Sequence, residues 1–437
     1  MRKIFVLLFL ILSAKFYASA QGHKIEVSLP TNPDTTFYLA QHTDDGFFVK
    51  DTARSDHFGN MVFDGKNTLE PGMYVMLLQR KALFSFLLVD QYFQIIADSG
   101  KTNREVRFVG SKEAILYDEF LKQSNAKFKQ VKTNNFTQEM YLFAQDYLLK
   151  AKNTLAEKVI RANLSPMGFK TLGKINTKQD SVLFNKQMLL TFWNNIDFTD
   201  ERLANMPFIA TKWKQYFELI NTFSNDTLCK ISDDLINKTN LSSPFRKKMI
   251  VRMANTFIGS KYQGHDSVYV HLAEKYMLNS DLFPDSSTQA INIGLVSSYK
   301  PNLIGKTLQN FTVADTLNRF FSLNTAKSPY FIVVFYDPGC HHCQDFIKEL
   351  TAKQAEFKKN GVDIWLICND LNKNSWMQFV RNLPINSFVH GFDLKRNLNI
   401  RQTFNVQTLP TVYLLDKNYK ILANKKIKVT DYFNLLK

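Results

Sequence analysis

Hydrophobic and polar residues alternate over short stretches in the first part of the chain, from His23 to about Gly110. The clearest groups are Ile25, Val27 and Leu29, then Met73, Val75 and Leu77, then Phe84, Phe86 and Leu88. A period of two residues predicts β-strands, because successive side chains of a strand point to opposite faces. Turn-forming pairs such as Pro71-Gly72 and Ser99-Gly100 recur at the short spacing of antiparallel sheets. The pattern predicts a small β-sandwich or open barrel.

The period changes between residues 111 and 299. Apolar residues recur every four positions in one stretch, at Phe143, Tyr147, Ala151, Leu155 and Val159. This spacing places them along one face of a helix. A further helix is predicted to begin at Ser243-Pro244, with the serine as N-cap, and to end at Gly259. The region is therefore predicted to be an all-α domain, in which Cys229 and His271 are core or half-buried residues.

From residue 300 onward strands and helices alternate, which predicts an α/β domain with a parallel sheet. Tyr330–Tyr336 is an uninterrupted apolar run, typical of a central strand that is covered on both faces. A helix is predicted to follow Cys343 and to end at Asn360-Gly361, before a strand at Val362–Cys368. The remaining predictions are helices near residues 375–383, 394–404 and 431–436, and strands at 412–415 and 419–422.

The first twenty residues have the layout of a secretory signal peptide. Arg2 and Lys3 precede an apolar run at residues 4–12, and Ala18-Ser19-Ala20 supplies a cleavage signal. The run is too short to span about 30 Å of hydrocarbon, so a membrane anchor is discounted. We therefore expect an exported chain, in the periplasm or outer cell envelope, with no transmembrane segment after signal removal.

Length and composition narrow the class of protein. At about 100 to 200 residues per domain, 437 residues favour two to four domains. Lys and Arg number 55 against 39 Asp and Glu, a formal charge of +16. For an exported chain this charge is more typical of a lysine-rich proteome than of a surface for an acidic partner, and nucleic acid is not an expected partner. Four cysteines are too few for a disulfide scaffold, so any function they have is local.

The candidate chemistry lies in Cys340 and Cys343, three positions apart at the start of a predicted helix. The free N–H groups and the dipole of a helix N-terminus stabilise a thiolate on the first cysteine, and the second is close enough to resolve a mixed disulfide. Half of a zinc site is one alternative, but zinc needs four ligands and Cys229 and Cys368 are far away in sequence. A c-type haem is another, but Gln344 stands where its histidine is needed. The strand-to-helix setting favours redox chemistry over a purely structural disulfide, and we expect no metal and no cofactor.

Residues 300–437 resemble a thioredoxin-fold domain of the TlpA and ResA class of exported thiol:disulfide oxidoreductases. The resemblance is carried by Ile304-Gly305-Lys306 through Asn310-Phe311-Thr312-Val313, Val334-Phe335-Tyr336-Asp337-Pro338, the C-x-x-C pair, and Thr408-Leu409-Pro410-Thr411 before a strand. It implies that Pro410 is the family's cis-proline and that the Leu409 backbone pairs with an extended substrate strand. Residues 22–110 and 111–299 are similar to β and helical domains found ahead of thioredoxin modules in some bacterial exported proteins, which have no activity to carry over.

Three departures from thioredoxin concern the redox potential. Gly339 stands where many thioredoxins have tryptophan, Val334 where thioredoxin has a buried aspartate, and His341-His342 where thioredoxin has Gly-Pro. In having a histidine directly before the second cysteine, the chain resembles the oxidant DsbA. Because a nearby protonated histidine stabilises a thiolate, His341 and His342 are predicted to tune the pair to a potential above the ~−270 mV of thioredoxin.

The sequence thus predicts an exported enzyme that exchanges disulfides with protein thiols and with a redox partner protein. Cys340 is the predicted attacking thiolate, Cys343 the buried resolver and Cys368 an inert buried thiol. The alternative is a partner-binding protein whose thioredoxin-like module is a docking platform with a regulatory or incidental disulfide. The predicted organisation is a signal peptide at 1–20, an all-β domain at 21–110, a helical domain at 111–299 and a thioredoxin-like α/β domain at 300–437.

Overall fold

The computed structural model describes residues 22–43, 46–97, 106–129, 136–164, 188–383 and 388–436. The chain forms two compact units, residues 1–219 and 220–437. Their boundary falls within the region predicted as one helical domain, and the limits at residues 110 and 299 stay predictions. The predicted signal peptide and the predicted turn at Ser99-Gly100 lie outside the described residues. Within the described ranges, no helix combines the length and the apolar character needed to cross a bilayer.

The first unit begins with a β-sandwich. Its strands are β1 (His23–Ser28), β2 (Thr36–Thr43), β3 (Gly46–Arg54), β4 (Asn60–Gly65), β5 (Gly72–Leu78), β6 (Lys81–Leu88), β7 (Tyr92–Ala97) and β8 (Val106–Val109). In the described part of the chain they form two four-stranded sheets, ordered β4-β1-β7-β8 and β3-β2-β5-β6. Side chains of both sheets meet in one core that includes Ile25, Phe37, Phe63 and Ile95. The predicted all-β sandwich is therefore confirmed.

The helices of the first unit correct one prediction. They are α1 (Lys112–Phe128), α2 (Phe136–Lys150), α3 (Leu155–Asn163) and α4 (Pro207–Ile220), with a 3-10 turn at Glu201–Asn205. The prediction of one continuous helix face from Phe143 to Val159 is wrong, because α2 ends at Lys150 and α3 begins at Leu155. Asn153 adopts a left-handed conformation with φ of 65°, and the Thr154 side chain caps α3 by accepting the Glu157 N–H at 3.2 Å. A left-handed residue followed by an N-cap starts a new helix.

Four helices open the second unit: α5 (Asn225–Ile236), α6 (Pro244–Ile258), α7 (His265–Leu272), continued by a π-helical turn at Ala273–Met277, and α8 (Ser286–Tyr299). Helix α6 begins as predicted, with the Ser243 hydroxyl accepting the Arg246 N–H at 3.0 Å. Gly259 follows its last residue, also as predicted. With the helices of the first unit, these confirm the all-α character of the described residues between 111 and 299.

The remainder of the second unit alternates strands and helices. Its elements are β9 (Thr312–Ala314), β10 (Phe320–Ser322), β11 (Tyr330–Tyr336), α9 (His341–Ala352), α10 (Gln354–Lys359), β12 (Val362–Cys368), α11 (Lys373–Arg381), β13 (Val389–Phe392), α12 (Ile400–Thr403), β14 (Thr411–Asp416), β15 (Ile421–Ala423) and a 3-10 segment at Val429–Leu435. Over the described residues they form a seven-stranded sheet, ordered β10-β9-β13-β12-β11-β14-β15. Strands β11, β12 and β13 are parallel, and β14 runs antiparallel to β11.

Strand β11 is central and covered on both faces, as its apolar run predicted. Ile332, Val334 and Tyr336 belong to a core layer that also holds residues of α9 and α11. Phe331, Val333 and Phe335 belong to the layer on the opposite face. The α/β fold predicted for this part of the chain is confirmed.

One helix predicted near the C-terminus is wrong in extent, and the predicted terminal helix is present at Val429–Leu435. Of residues 394–404 only Ile400–Thr403 is helical, and the terminal segment is a 3-10 helix. The Asp393 carboxylate accepts the backbone N–H groups of Asn397 and Leu398, at 3.3 and 2.9 Å. A short acidic side chain that takes backbone donors in this way competes with helix formation. The pattern also missed β9, β10 and β13, which have three or four residues each.

Polar groups connect α7 and the end of α8 to later parts of the second unit, near β15 and α12. Asn424, just after β15, donates from its amide to the Asp266 carboxylate and to the Asn302 carbonyl. Asn302 in turn donates to the Thr403 carbonyl at 2.9 Å, and the Ser298 hydroxyl donates to the Gln402 carbonyl at 3.0 Å. The helices of this unit and the segments beside its sheet therefore share hydrogen bonds.

Candidate active site

The two cysteines lie where β11 ends and α9 begins. The Asp337 carboxylate accepts the Gly339 N–H at 2.8 Å, and the Asp337 carbonyl accepts the Cys340 N–H at 3.1 Å. These bonds turn the chain from the end of the strand into the start of the helix. Cys340 consequently occupies the N-cap of α9, and its carbonyl accepts the N–H groups of Cys343 and Gln344 at 3.0 Å each.

The environments of the two sulfurs differ. Cys340 is partly exposed at the N-cap of α9, so its sulfur can be reached from solvent. Cys343 is fully buried and packs with Phe346 and Ile347 in the core layer under α9. Burial raises the pKa of the Cys343 thiol to about 12, and a hydrogen bond with Cys340 adds to the rise. Cys343 is therefore a thiol at neutral pH and is shielded from large molecules.

The loop before β14 faces the first cysteine. The Leu409–Pro410 peptide bond is cis, as the resemblance implied. The Cys340 sulfur lies 3.9 Å from the Leu409 carbonyl oxygen, to which its S–H can donate. Leu409 also packs against both core layers of the sheet, which fixes the loop in place.

The histidines between the cysteines are exposed on the first turn of α9. His341 and His342 occupy its first two helical positions, directly after Cys340. Their exposure places both within reach of solvent and of any partner that approaches the site. Their influence on the redox potential remains a prediction.

The remaining cysteines lie as interpreted from the sequence. Cys368 is buried on β12, and burial raises the pKa of its thiol to about 12. Cys229 is half-buried on α5, and burial with the nearby Asp233 charge raises the pKa of its thiol to about 11. His271 is also half-buried, with its Nε2 atom 3.0 Å from the Asp233 carboxylate. The thiols of Cys229 and Cys368 are therefore both neutral at physiological pH.

Sequence reasoning missed two buried polar residues of the layer under α9. Tyr336 ends β11 with no exposed surface, and its hydroxyl has no hydrogen-bond partner among the described residues. His390 on β13 is 6% exposed, and within the same described ranges neither of its ring nitrogens has a partner. The only sequence signal was the polar ring of Tyr336 at the end of a stretch that otherwise predicts a buried strand, and His390 had no such signal because β13 was not predicted.

Comparison with known families identifies the domain that carries this site. Residues 329–421 match a family model described as thioredoxin-like. This part of the chain is therefore a thioredoxin-like domain, and the TlpA and ResA class expected from the motifs is consistent with the match. No curated protein matches the chain in sequence.

Solved structures that match part of the chain come from several bacteria. A thioredoxin-like protein from Bacteroides caccae ATCC 43185 is 19% identical, covers 60% of this chain and 95% of its own, and has a TM-score of 0.51. A domain of a possible thiol-disulfide isomerase from Cytophaga hutchinsonii ATCC 33406 is 26% identical over 31% of this chain and 90% of its own, with a TM-score of 0.29. A thiol:disulfide interchange protein from Bacteroides sp. is 21% identical over 30% and 87%, with a TM-score of 0.27.

Proposed function

We propose that the chain is an exported thiol:disulfide oxidoreductase that exchanges disulfides with protein thiols through Cys340 and Cys343. The observation that carries this proposal is the unequal setting of the two sulfurs. Cys340 is partly exposed at a helix N-cap, whereas Cys343 is buried with a thiol pKa of about 12. A partly exposed first sulfur can attack a partner's disulfide, and a buried second sulfur three residues later can resolve the mixed disulfide.

The exchange proceeds in two steps, each of which forms one disulfide bond and breaks another. The Cys340 thiolate attacks one sulfur of a partner's disulfide, forming a mixed disulfide while the other partner sulfur leaves as a thiolate. Cys343 then attacks the Cys340 sulfur, breaking the bond to the partner, and its proton passes to the leaving partner sulfur. The products are a Cys340–Cys343 disulfide and a partner dithiol. The reverse sequence oxidises a partner by the same bonds.

The Leu409–Pro410 loop is the proposed contact for the partner chain. The Leu409 carbonyl already lies 3.9 Å from the Cys340 sulfur, so backbone groups of this loop are beside the atom that is attacked. An extended partner segment can pair with exposed backbone groups in the manner of an added strand. Such pairing recognises a peptide backbone and therefore suits protein disulfides of varied sequence.

Trapping of mixed disulfides tests the proposal. Cys343→Ala removes the resolving thiol, so we expect this variant to accumulate mixed disulfides with exported proteins, detected on non-reducing gels and lost on reduction. Cys340→Ala should trap nothing, and Cys368→Ala in the Cys343→Ala background should trap as well as the single variant. Trapping by Cys340→Ala alone would show that Cys343 is the attacking thiol and Cys340 the resolving one.

Titration of the parent against glutathione complements the test, because a cysteine pair that is never reduced would indicate a docking platform and not an enzyme.

A further inference from the structure

A groove lies on the surface of the second unit, beside α8. Its aliphatic lining comes from Leu278, which follows the π-helical turn, from Ile293 and Val296 of α8, and from Pro301 in a 3-10 turn at Lys300–Asn302. The groove has a volume of about 430 Å³. Small-molecule sites in proteins typically have volumes of about 300 to 1,000 Å³ and mostly apolar walls. The groove therefore has the size and the lining of a site for a small apolar ligand.

Two isoleucines of α8 are exposed, and one of them belongs to the groove. Ile291 is 63% exposed and lies outside the lining, whereas Ile293 is 56% exposed and forms part of it. Single exposed isoleucines are ordinary on protein surfaces, so Ile291 needs no explanation. Ile293 lies one helical turn before Val296, which is only 7% exposed, so the apolar wall runs from solvent to the buried side of the helix. A ligand in the groove would cover Ile293 and leave Ile291 in water.

Hydrogen bonds hold the walls of the groove in place. The Gln289 amide on α8 donates to the Met277 carbonyl at 2.9 Å and to the Phe283 carbonyl at 2.7 Å. At the other end of α8, the Asn302 amide donates to the Ser298 carbonyl at 2.8 Å. The groove is therefore formed without a ligand, and binding to a preformed site costs little conformational entropy.

The groove also has a positive charge at its edge. Lys300 and Lys306 both line it. The Lys300 ammonium forms an ion pair with the Glu274 carboxylate at 2.6 Å, whereas no ion pair or hydrogen bond connects the Lys306 ammonium to another described residue. The Lys306 backbone is fixed beside β15, because its carbonyl accepts the Ile421 N–H at 2.8 Å. The groove thus combines aliphatic walls with a cation that is available to an anionic group.

We propose that this groove binds a single-chain aliphatic carboxylate, with the chain against the apolar walls and the carboxylate on the Lys306 ammonium. The inference goes beyond the proposed function and uses neither cysteine of the candidate active site. A peptide fits the lining less well, because a buried backbone needs hydrogen-bond partners. Apart from the lysines, the polar side chain of the lining is Ser297, whose hydroxyl already donates to the Gly294 carbonyl at 2.8 Å. An aliphatic chain needs no such partner, and its burial is favourable in proportion to the apolar area removed from water.

Calorimetric titration of the full chain with dodecanoate, below its micelle concentration, tests the inference. We expect saturable binding with a negative change in heat capacity, because apolar surface is buried. Dodecyltrimethylammonium has a chain of the same length and the opposite charge. It should bind about fivefold to tenfold more weakly, because Lys306 attracts the carboxylate and repels this cation. Equal affinities for the two ligands would overturn the inference.

Two pairs of variants locate the site. Ile293→Asp removes an apolar wall and adds a like charge, so dodecanoate should bind about tenfold to hundredfold more weakly. Ile291→Asp, the matched control on the same helix, should bind as the parent does. Lys306→Glu should weaken binding about fivefold to tenfold, because repulsion replaces attraction. Lys359→Glu, the same change at an exposed lysine that ends α10, should leave the affinity unchanged.

A second variant keeps the test valid if Ile293→Asp does not fold. Ser297 is exposed and lines the groove, so Ser297→Phe should fill it and prevent binding. Absence of saturable binding by the parent, or equal affinity of the parent and a folded groove variant, would overturn the inference. Sedimentation of the parent and Ile293→Asp identifies another occupant. A dimeric parent and a monomeric variant would show that a second copy of the chain covers this face, which would also overturn it.

Discussion

At the scale of single residues, the free-energy cost of burying a titratable group makes the stability of the fold depend on pH. His390 on β13 is 6% exposed, and burial lowers its pKa from 6.5 to about 4. The unfolded chain therefore binds a proton below about pH 6.5 that the folded chain resists until about pH 4. Stability contributed by neutral His390 is present above pH 6.5 and is lost as the pH falls through this window, by about 3 kcal/mol in total.

His390→Leu tests this prediction. We expect the free energy of unfolding of the parent, measured with a chemical denaturant, to fall more steeply between about pH 6.5 and pH 4 than that of the variant. Leucine occupies a similar volume and cannot take up a proton, so the variant should lose only this part of the pH dependence. Parallel curves for the two proteins would contradict the lowered pKa.

The second residue-scale prediction concerns the histidines between the cysteines. Replacing His341-His342 with Gly-Pro removes two groups that are predicted to stabilise the Cys340 thiolate when protonated, so the redox potential should fall towards that of thioredoxin. The measurement is the fraction of oxidised pair at equilibrium with glutathione buffers. A potential that is unchanged by the replacement, or a parent value at or below about −270 mV, would contradict the tuning role.

At the scale of elements, two serine N-caps provide a comparison of helix starts. The Ser243 hydroxyl accepts the Arg246 N–H at the start of α6, whereas the Ser111 side chain before α1 makes no capping bond and its buried oxygen has no partner among the described residues. Ser243→Ala should lower the free energy of unfolding by about 1 kcal/mol, because an orphan helix donor loses its acceptor. Ser111→Ala, the control, should be neutral or slightly stabilising. Equal losses in denaturant unfolding of the two variants would contradict this assignment.

At the scale of the whole molecule, the compact unit that contains the candidate site begins at residue 220 and not at residue 300. Asn302, Asp266 and Asn424 are each less than a tenth exposed and are hydrogen-bonded to one another or to neighbouring backbone. Residues 300–437 alone would keep Asn302 and Asn424 but lose Asp266 and Ser298. Buried polar groups without partners cost about 1 to 3 kcal/mol each.

We therefore predict that residues 220–437 form a more stable fragment than residues 300–437, by a few kcal/mol in denaturant unfolding. Both fragments contain Cys340, Cys343 and Pro410, so both should react with a small disulfide while folded. Full activity on a trapped protein partner is expected only from the whole chain, because its additional domains are predicted to hold the partner and so to raise its effective concentration near Cys340. Equal stability of the two fragments would show that the shared hydrogen bonds contribute little.

The sequence determined the local features of this protein, because periodicity and capping act over a few residues. The β11 run at Tyr330–Tyr336, the start of α6 at Ser243 and the position of Cys340 at the start of a helix all follow from such patterns. The thioredoxin-like domain was recognisable for the same reason, since its motifs are short and lie at strand ends.

Tertiary structure decided the rest. The separation of Cys340 from Cys343 in exposure, the closeness of Leu409 to the first sulfur and the unpaired hydroxyl of Tyr336 depend on contacts between residues distant along the chain. Short strands such as β13 form because neighbouring strands supply hydrogen bonds. The local pattern of apolar residues does not predict such long-range pairing. Residue identity alone left several roles open for Cys340 and Cys343, and burial and long-range contacts in the folded chain distinguish the two sulfurs.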